Sequence, residues 1–445
     1  MFRDAMTPPW KRIGRLPARI AGNLKLLWRD PERFARNITQ VTHPALFEQR
    51  LIDILNTAPM HVRFEPDAAR TPTLNILDAV WASAGMTGGP NTVINLACRI
   101  ARQGIPVRLA ATVEGPFLDP AWFRRHAEAL LADRDVPEVP IVSAARADRP
   151  LQVGPGDVFL ATHWITAQQL KAVLPRMPIR QFFYMLQEFE PAFYAWSSNY
   201  ALAIETYGMD YWPIVNETLL AEYLFSQPLG RLNDPLMRER AIVFEPAVDA
   251  ALFRPAAADA PARPRRLLFY ARPNSTRNLF GIGLVALRQA VADPAFAGWE
   301  FLSIGGRGGV SDLPLGHGHV LRTAPWVDYA GYGRLLCAAD VLLCPMLSPH
   351  TSYPVLEMAA SGGLVITNTF ATKTAAALRG ISHNIIAVEP TIAGFADGLL
   401  QAARTPRDGT RRAAPFNMPR DWGETLDPVA RRVAAIVRDL WRGAG

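Results

Sequence analysis

PHTSYPVLEMAASGGLVITN, residues 349–368, joins a short helix to a buried strand through a glycine turn. Ser352 and Tyr353 open the helix, and Gly362 and Gly363 end it and release the chain into the strand LVITN. Helix, turn and buried strand in that order form one unit of a parallel α/β sheet. The first turn of such a helix carries backbone N–H groups with no partner inside the helix, which makes its mouth an anion site. Glu357, one turn further in, directs a carboxylate toward the same cleft. A phosphate at the helix mouth and a hydroxyl-rich ribose on Glu357 is the ligand this geometry favours.

The same alternation extends in both directions. RLLFYAR (266–272), a helix over 278–292, WEFLSIGG (299–306), HVLRT (319–323), a helix over 329–339, DVLLCPM (340–346) and NIIAV (384–388) complete one series. An earlier series runs through LNILDAVW (74–81), PVRLAAT (106–112), DVFLATH (157–163), RQFFYML (180–186), MDYWPIV (209–215) and RAIVFEP (240–246). Between them, AVDAALFRPAAADAPARPRR (247–266) is rich in Ala and Pro and reads as a linker. The expected class is α/β, with two Rossmann-like doubly wound domains facing a cleft. They span 71–250 and 266–415, joined by a linker over 251–265. A basic helical extension over 1–70 precedes them, and a helix read over 428–441, within 416–445, packs back toward the first domain. A ligand belongs in the cleft, outside the carboxyl ends of the strands.

Composition bounds the alternatives. A chain of 445 residues that is 49% hydrophobic and 20% charged builds real cores, and no run reaches the roughly 20 apolar residues of a membrane-spanning helix. The net charge of +7 belongs to the ends: the first 40 residues carry nine Lys and Arg against three acids, and the stretch from Arg404 onward carries nine Arg against five. The body between them is slightly acidic, which argues against a nucleic-acid-binding core. Residues 10–28 place Ile13, Leu16, Ile20, Leu24 and Leu27 on one helical face and Arg12, Arg15, Arg19 and Lys25 on the other. That face suits either the protein body or an anionic membrane surface. Cys98, Cys337 and Cys344 show neither disulfide nor zinc spacing, and the first residues lack a secretory pattern, so a cytoplasmic protein, peripheral at most to the membrane, is expected. Asp133 and Asp135 fall in a Pro-bounded polar loop rather than at a strand end, so no metal site is expected there.

The stretch around Glu357 resembles the donor-site signature of retaining glycosyltransferases of the GT-B fold, family 4, in which Glu is followed by seven residues, a second Glu, a small-residue helix and a Gly-x-x-Val-Ile turn. By that resemblance Glu357 is the second Glu, which holds the nucleotide ribose. The first would fall at Pro349, where this chain departs from the pattern. The family also places Arg and Lys five positions apart after the first strand of the second domain; Arg272 and Arg277 stand at that spacing in FYARPNSTRN (269–278). Two cations aimed at one diphosphate offset its charge as it leaves. AGMTGGPNTVINLA resembles the family's first glycine-rich loop, with Thr87, Gly88 and Gly89 facing the donor.

YMLQEFEPAFYAWSSNYALAIETY (184–207), together with SYPVLEMAASGGLVITN and ARPNSTRN, resembles the bacterial rhamnosyltransferases of the WsaF type, over roughly residues 75–445. The resemblance implies dTDP-L-rhamnose as donor and a growing surface polysaccharide, saccharide or lipid-linked glycan, as acceptor. It implies no cofactor and no metal. Arg272, Arg277 and Glu190 are the expected catalytic groups, Ser352, Tyr353 and Glu357 the donor groups beside the glycine loop, and His163, Glu188 and Glu190 the candidates for contact with sugar or acceptor. The sequence leaves open a transferase using another nucleotide sugar, and a GT-B protein without catalysis that binds glycan or assembles at the membrane.

Overall fold

The computed structural model describes residues 54–66, 70–79, 81, 88–115, 118–255, 263–306, 312–325, 327–406 and 414–444. The amphipathic stretch 10–28, Thr87 and the middle of the expected linker lie outside them. The first half of the chain contributes β1 (Val62–Phe64), β2 (Leu74–Asp78), β3 (Val107–Ala111), β4 (Ile141–Ser143), β5 (Leu151–Val153), β6 (Val158–Ala161), β7 (Phe182–Leu186), β8 (Tyr211–Asn216) and β9 (Ile242–Phe244). Seven of these form a parallel sheet in the order β4-β3-β2-β6-β7-β8-β9, while β1 and β5 pair separately. The second half contributes β10 (Arg266–Tyr270), β11 (Glu300–Ile304), β12 (Leu313–Gly316), β13 (His319–Thr323), β14 (Val341–Leu343), β15 (Leu364–Asn368) and β16 (Ile385–Val388), in the order β12-β13-β11-β10-β14-β15-β16. Among these, β12 alone runs antiparallel. Central strands such as β7 and β15 are buried at every residue, as a sheet covered by helices on both faces requires.

Both sheets grow outward from their first strand in one direction and then reverse. The reversals lie between β2 and β6 and between β10 and β14, the places where doubly wound sheets open a crevice at their carboxyl ends. The helices that flank these crevices are α1 (Gly88–Arg102), α2 (Pro120–Leu131), α3 (Trp164–Val173), α4 (Ser198–Thr206), α5 (Thr218–Ser226) and α6 (Pro235–Arg240) in the first domain. The second carries α7 (Phe280–Ala290), α8 (Tyr329–Cys337), α9 (Tyr353–Ala360), α10 (Ala375–Ile381) and α11 (Ile392–Arg404).

Two segments differ from expectation. The start of the linker is packed rather than free: Val248 and Phe253 are buried in the core of the second domain, and the Phe253 ring meets Tyr329 and Tyr332 edge-on. An aromatic side chain of that size is stabilised by burial, which overrides the Ala and Pro composition around it. The last helix, α12 (Trp422–Ala444), begins ahead of Pro428 rather than at it. The turn before Pro428 is held because Leu426 is buried with Val429, Val433 and Val437 in the core of the first domain, among Leu74, Ile76 and Ile94. Arg99 of α1 adds an ion pair to Asp427 at 2.5 Å, and Trp441 Nε1 donates to the Gly156 carbonyl at 2.7 Å. The final helix therefore completes the first domain from the far end of the chain.

Leu426→Ala removes a fully buried side chain and is expected to lower the unfolding free energy by about 2–5 kcal/mol in denaturant titration, whereas Arg431→Ala, on the exposed side of the same helix, is expected to change it by less than about 0.5 kcal/mol.

Candidate active site

The loop after β10 carries the two arginines. Arg272 lies against Tyr270, with its guanidinium carbon 5.9 Å from the ring centre and Nη1 3.4 Å from the hydroxyl. Gly305, at the end of β11, has φ +96°, and a Cβ there would fall 2.6 Å from the Tyr270 ring, so this close approach needs glycine. Arg277 reaches across to the first domain: its guanidinium stacks 4.2 Å above Phe193, and its Nε lies 3.4 Å from Glu188 Oε2. The other Glu188 oxygen accepts from the Ser348 hydroxyl and, at 3.0 Å, from the Phe189 N–H. Glu188, expected to contact the sugar or acceptor, thus bridges the two domains at Arg277 and Ser348.

The mouth of α9 is more occupied than the sequence suggests. The Thr351 N–H and hydroxyl both donate to Glu217 Oε1 at 2.6 Å, and the Ser352 N–H donates to His350 Nδ1 at 2.9 Å. Pro354 has no N–H, and those of Val355 and Leu356 donate to the Ser352 carbonyl. Among the bonds of the described residues, this leaves the Tyr353 N–H as the donor of that turn, so the expected open anion site at Ser352 and Tyr353 is corrected to a single group. Ser352 sits at φ +82°, and the donors of this loop are taken by His350 beside it and by Glu217 of the first domain. Tyr353 serves another purpose as well. Its hydroxyl lies 2.9 Å from Thr92 Oγ1 and accepts from Asn216 Nδ2 at 2.7 Å, both in the first domain. Gly88 makes room for it, since a Cβ there would meet the Tyr353 ring at 3.0 Å, whereas a Cβ at Gly89 would make ordinary contact with Gln187, at 3.4 Å.

Glu357 is buried, and burial pushes its carboxyl up to about 7, against the hydrogen bonding of Tyr332 and Tyr329. The Tyr329 hydroxyl donates to Oε1 at 3.5 Å. A buried carboxyl inside an aromatic pocket suits a hydroxyl-bearing partner, which satisfies it without adding charge.

Glu190 and His163 fall elsewhere. The Glu190 carboxyl is buried, accepts from the Trp164 N–H at 2.7 Å and the Tyr184 hydroxyl at 3.2 Å, and is pushed up to about 8 by that burial. These partners belong to the first domain, and a carboxyl protonated at neutral pH is a poor charge stabiliser, so the expected catalytic part is corrected to support of the α3 turn. His163 caps α3, and its ring stacks on Phe193 at 6.2 Å, which places it one ring behind Arg277. Asp133 pairs with Arg102 at 2.7 Å on the exposed end of α2.

Sequence reading passed over Glu217, Ser348, His350 and Lys373. Glu217 and Ser348 meet their partners across the cleft, which no local pattern announces, and His350 accepts from the Ser352 N–H within its own loop. Lys373 did carry a signal, being one of four lysines in a chain with 43 arginines, and standing just after a core strand. It is fully buried, and its ammonium donates to the Met346 carbonyl at 2.7 Å.

Comparison with known proteins agrees with this architecture. Residues 73–216 match the family model for the WsaF N-terminal domain, and residues 265–400 that for the WsaF C-terminal domain. The O-antigen biosynthesis protein RfbC of Myxococcus xanthus is 34% identical over 289 residues, 62% of this chain, and the chain spans 20% of that relative's length. Among solved structures, a sucrose-phosphate synthase from Thermosynechococcus elongatus superposes with a TM-score of 0.50 at 13% identity, over 84% of this chain and 100% of that one, a likeness of fold alone. With both domain models matched in chain order onto two doubly wound sheets, the chain belongs to the WsaF family and has the GT-B fold of glycosyltransferases.

Proposed function

We propose that the protein is a glycosyltransferase of surface-polysaccharide synthesis that moves a deoxyhexose, L-rhamnose from dTDP-L-rhamnose, onto a saccharide acceptor. The observation that carries this reading is the pairing of Arg272 and Arg277 at the carboxyl end of β10 with the buried Glu357 of α9. The two cations suit a diphosphate, and the carboxylate suits the free hydroxyl of the nucleoside sugar. In the reaction, the bond between the sugar's anomeric carbon and the diphosphate oxygen breaks, an acceptor oxygen bonds to that carbon, and the acceptor's hydroxyl proton leaves with the diphosphate or solvent. The chain's part is to orient donor and acceptor and to stabilise the departing charge through Arg272 and Arg277, without a metal ion and with retention of configuration. Membership of the WsaF family and the relation to an O-antigen biosynthesis protein support the saccharide acceptor.

The test is release of nucleoside diphosphate from a panel of nucleotide sugars with a rhamnose-containing acceptor. Turnover is expected to be fastest with dTDP-L-rhamnose and unchanged by chelator, and Arg272→Ala is expected to lower kcat/KM by about 100- to 1000-fold. Absence of turnover with every donor defeats the reading, and dependence on a divalent ion defeats the electrostatic part given to the arginines.

The Glu357 carboxyl adds a pH dependence. Its value of about 7 means that the ionised form, which accepts from the 3′-hydroxyl of the deoxyribose, is lost as pH falls below neutrality. Affinity for dTDP measured by calorimetry is expected to weaken from about pH 8 to about pH 6 in the wild type more than in Glu357→Gln, whose amide does not titrate. Parallel profiles for the two proteins would remove Glu357 from the ribose site.

A further inference from the structure

Lys373, in the loop after β15, brings a cation to the floor of the cleft with one described acceptor, the Met346 carbonyl, for its three N–H groups. The same carbonyl accepts the Ser348 N–H at 2.9 Å, and the next residue back, Leu347, donates its N–H to the Arg277 carbonyl at 2.7 Å. The turn Met346–Ser348 therefore holds the Lys373 ammonium, the Arg277 backbone and the Ser348 hydroxyl on three successive residues. Glu188, from the loop after β7 in the opposite domain, lies against this turn, with one oxygen 3.4 Å from Arg277 Nε and the other on the Ser348 hydroxyl. Burial lowers the Lys373 pKa to about 8, and the negative charge of Glu188 is the foremost influence opposing that shift.

This arrangement has the composition of an anion site already holding an anion. A buried ammonium is tolerated only beside a compensating charge, and here that charge is delivered from the other domain. Glu217, the other carboxylate near Lys373, is engaged by the Thr351 N–H and hydroxyl.

We infer that Lys373 and Arg277 form a phosphate-binding pair and that Glu188 occupies it across the cleft until the diphosphate of a nucleotide sugar displaces it. The inference rests on the nucleotide-sugar reading above and adds to it a third cation and a competitor built into the chain. A diphosphate carries more charge than one carboxylate and accepts from the Ser348 hydroxyl equally well, so it replaces Glu188 group for group. The Tyr353 contacts with Asn216 and Thr92 do not involve Glu188, so the exchange leaves that bridge between the domains in place.

The experiment is calorimetric titration of UDP, dTDP and uridine into the full-length wild type, Glu188→Gln, Lys373→Met and Lys373→Arg, with thermal unfolding of each variant as a check on folding. Glu188→Gln keeps the shape and removes the competing charge, and is expected to bind both diphosphates about three- to tenfold more tightly. Lys373→Met is expected to bind them at least about tenfold more weakly, and Lys373→Arg to recover part of the loss. Uridine, which lacks phosphate, is expected to show the same affinity for all four proteins. If the diphosphates bind the wild type but Glu188→Gln binds them equally or more weakly, the displacement is wrong while the nucleotide reading stands. If folded Lys373→Met binds them as the wild type does, the third cation is wrong. If neither diphosphate binds the wild type, both this inference and the proposed function fall.

Discussion

The hydroxyl of Tyr353, held between Thr92 and Asn216, is the contact on which the rest of the cleft depends. Tyr353 begins α9 in the second domain, while its two partners lie on α1 and at the end of β8 in the first. One buried hydroxyl, accepting from Asn216 and hydrogen-bonded to Thr92, sets how the carboxyl ends of the two sheets face each other. Gly88 is part of the same constraint, because a side chain there would press on the tyrosine ring. With that distance set, Arg277 can stack on Phe193, and Glu217 and Glu188 can take the donors of the loop before α9.

The cleft is thus organised by charges that cross it. Among the described residues, the carboxylates that reach across the interface come from the first domain and meet donors of the second: Glu217 onto Thr351, Glu188 onto Ser348 and Arg277. Glu357 is the exception, enclosed within the second domain by Tyr329 and the Phe253 cluster. Buried carboxylates with such different partners separate groups that hold the domains together from one suited to receive a neutral hydroxyl.

Much of this was legible in the residues. Runs such as FFYML and LVITN are apolar throughout and marked the central strands, and the helix and glycine turn around Glu357 marked the second domain. The spacing of Arg272 and Arg277 placed both on one loop after β10. Elsewhere local reading misled. Ala and Pro around Phe253 suggested a free linker, although a single aromatic ring in the core outweighs such neighbours. Pro428 suggested a helix start, although Leu426 and its packing carry the helix through it. Glu190, in an aromatic stretch, looked like a sugar contact, yet its partners are the Trp164 N–H and Tyr184.

By itself the sequence determined the two α/β domains, the strands at their centres and the loops on which the cations and Glu357 sit, because periodicity, glycine turns and burial are local properties of the chain. Only the tertiary structure decided what those groups touch. Glu188 lies 160 residues from Ser348, and Glu217 lies 134 from Thr351, so their meeting follows from the facing of two sheets and not from any spacing within either. The same holds for Lys373, whose charge gains a meaning only when burial removes water from it and an opposite charge arrives from the other domain.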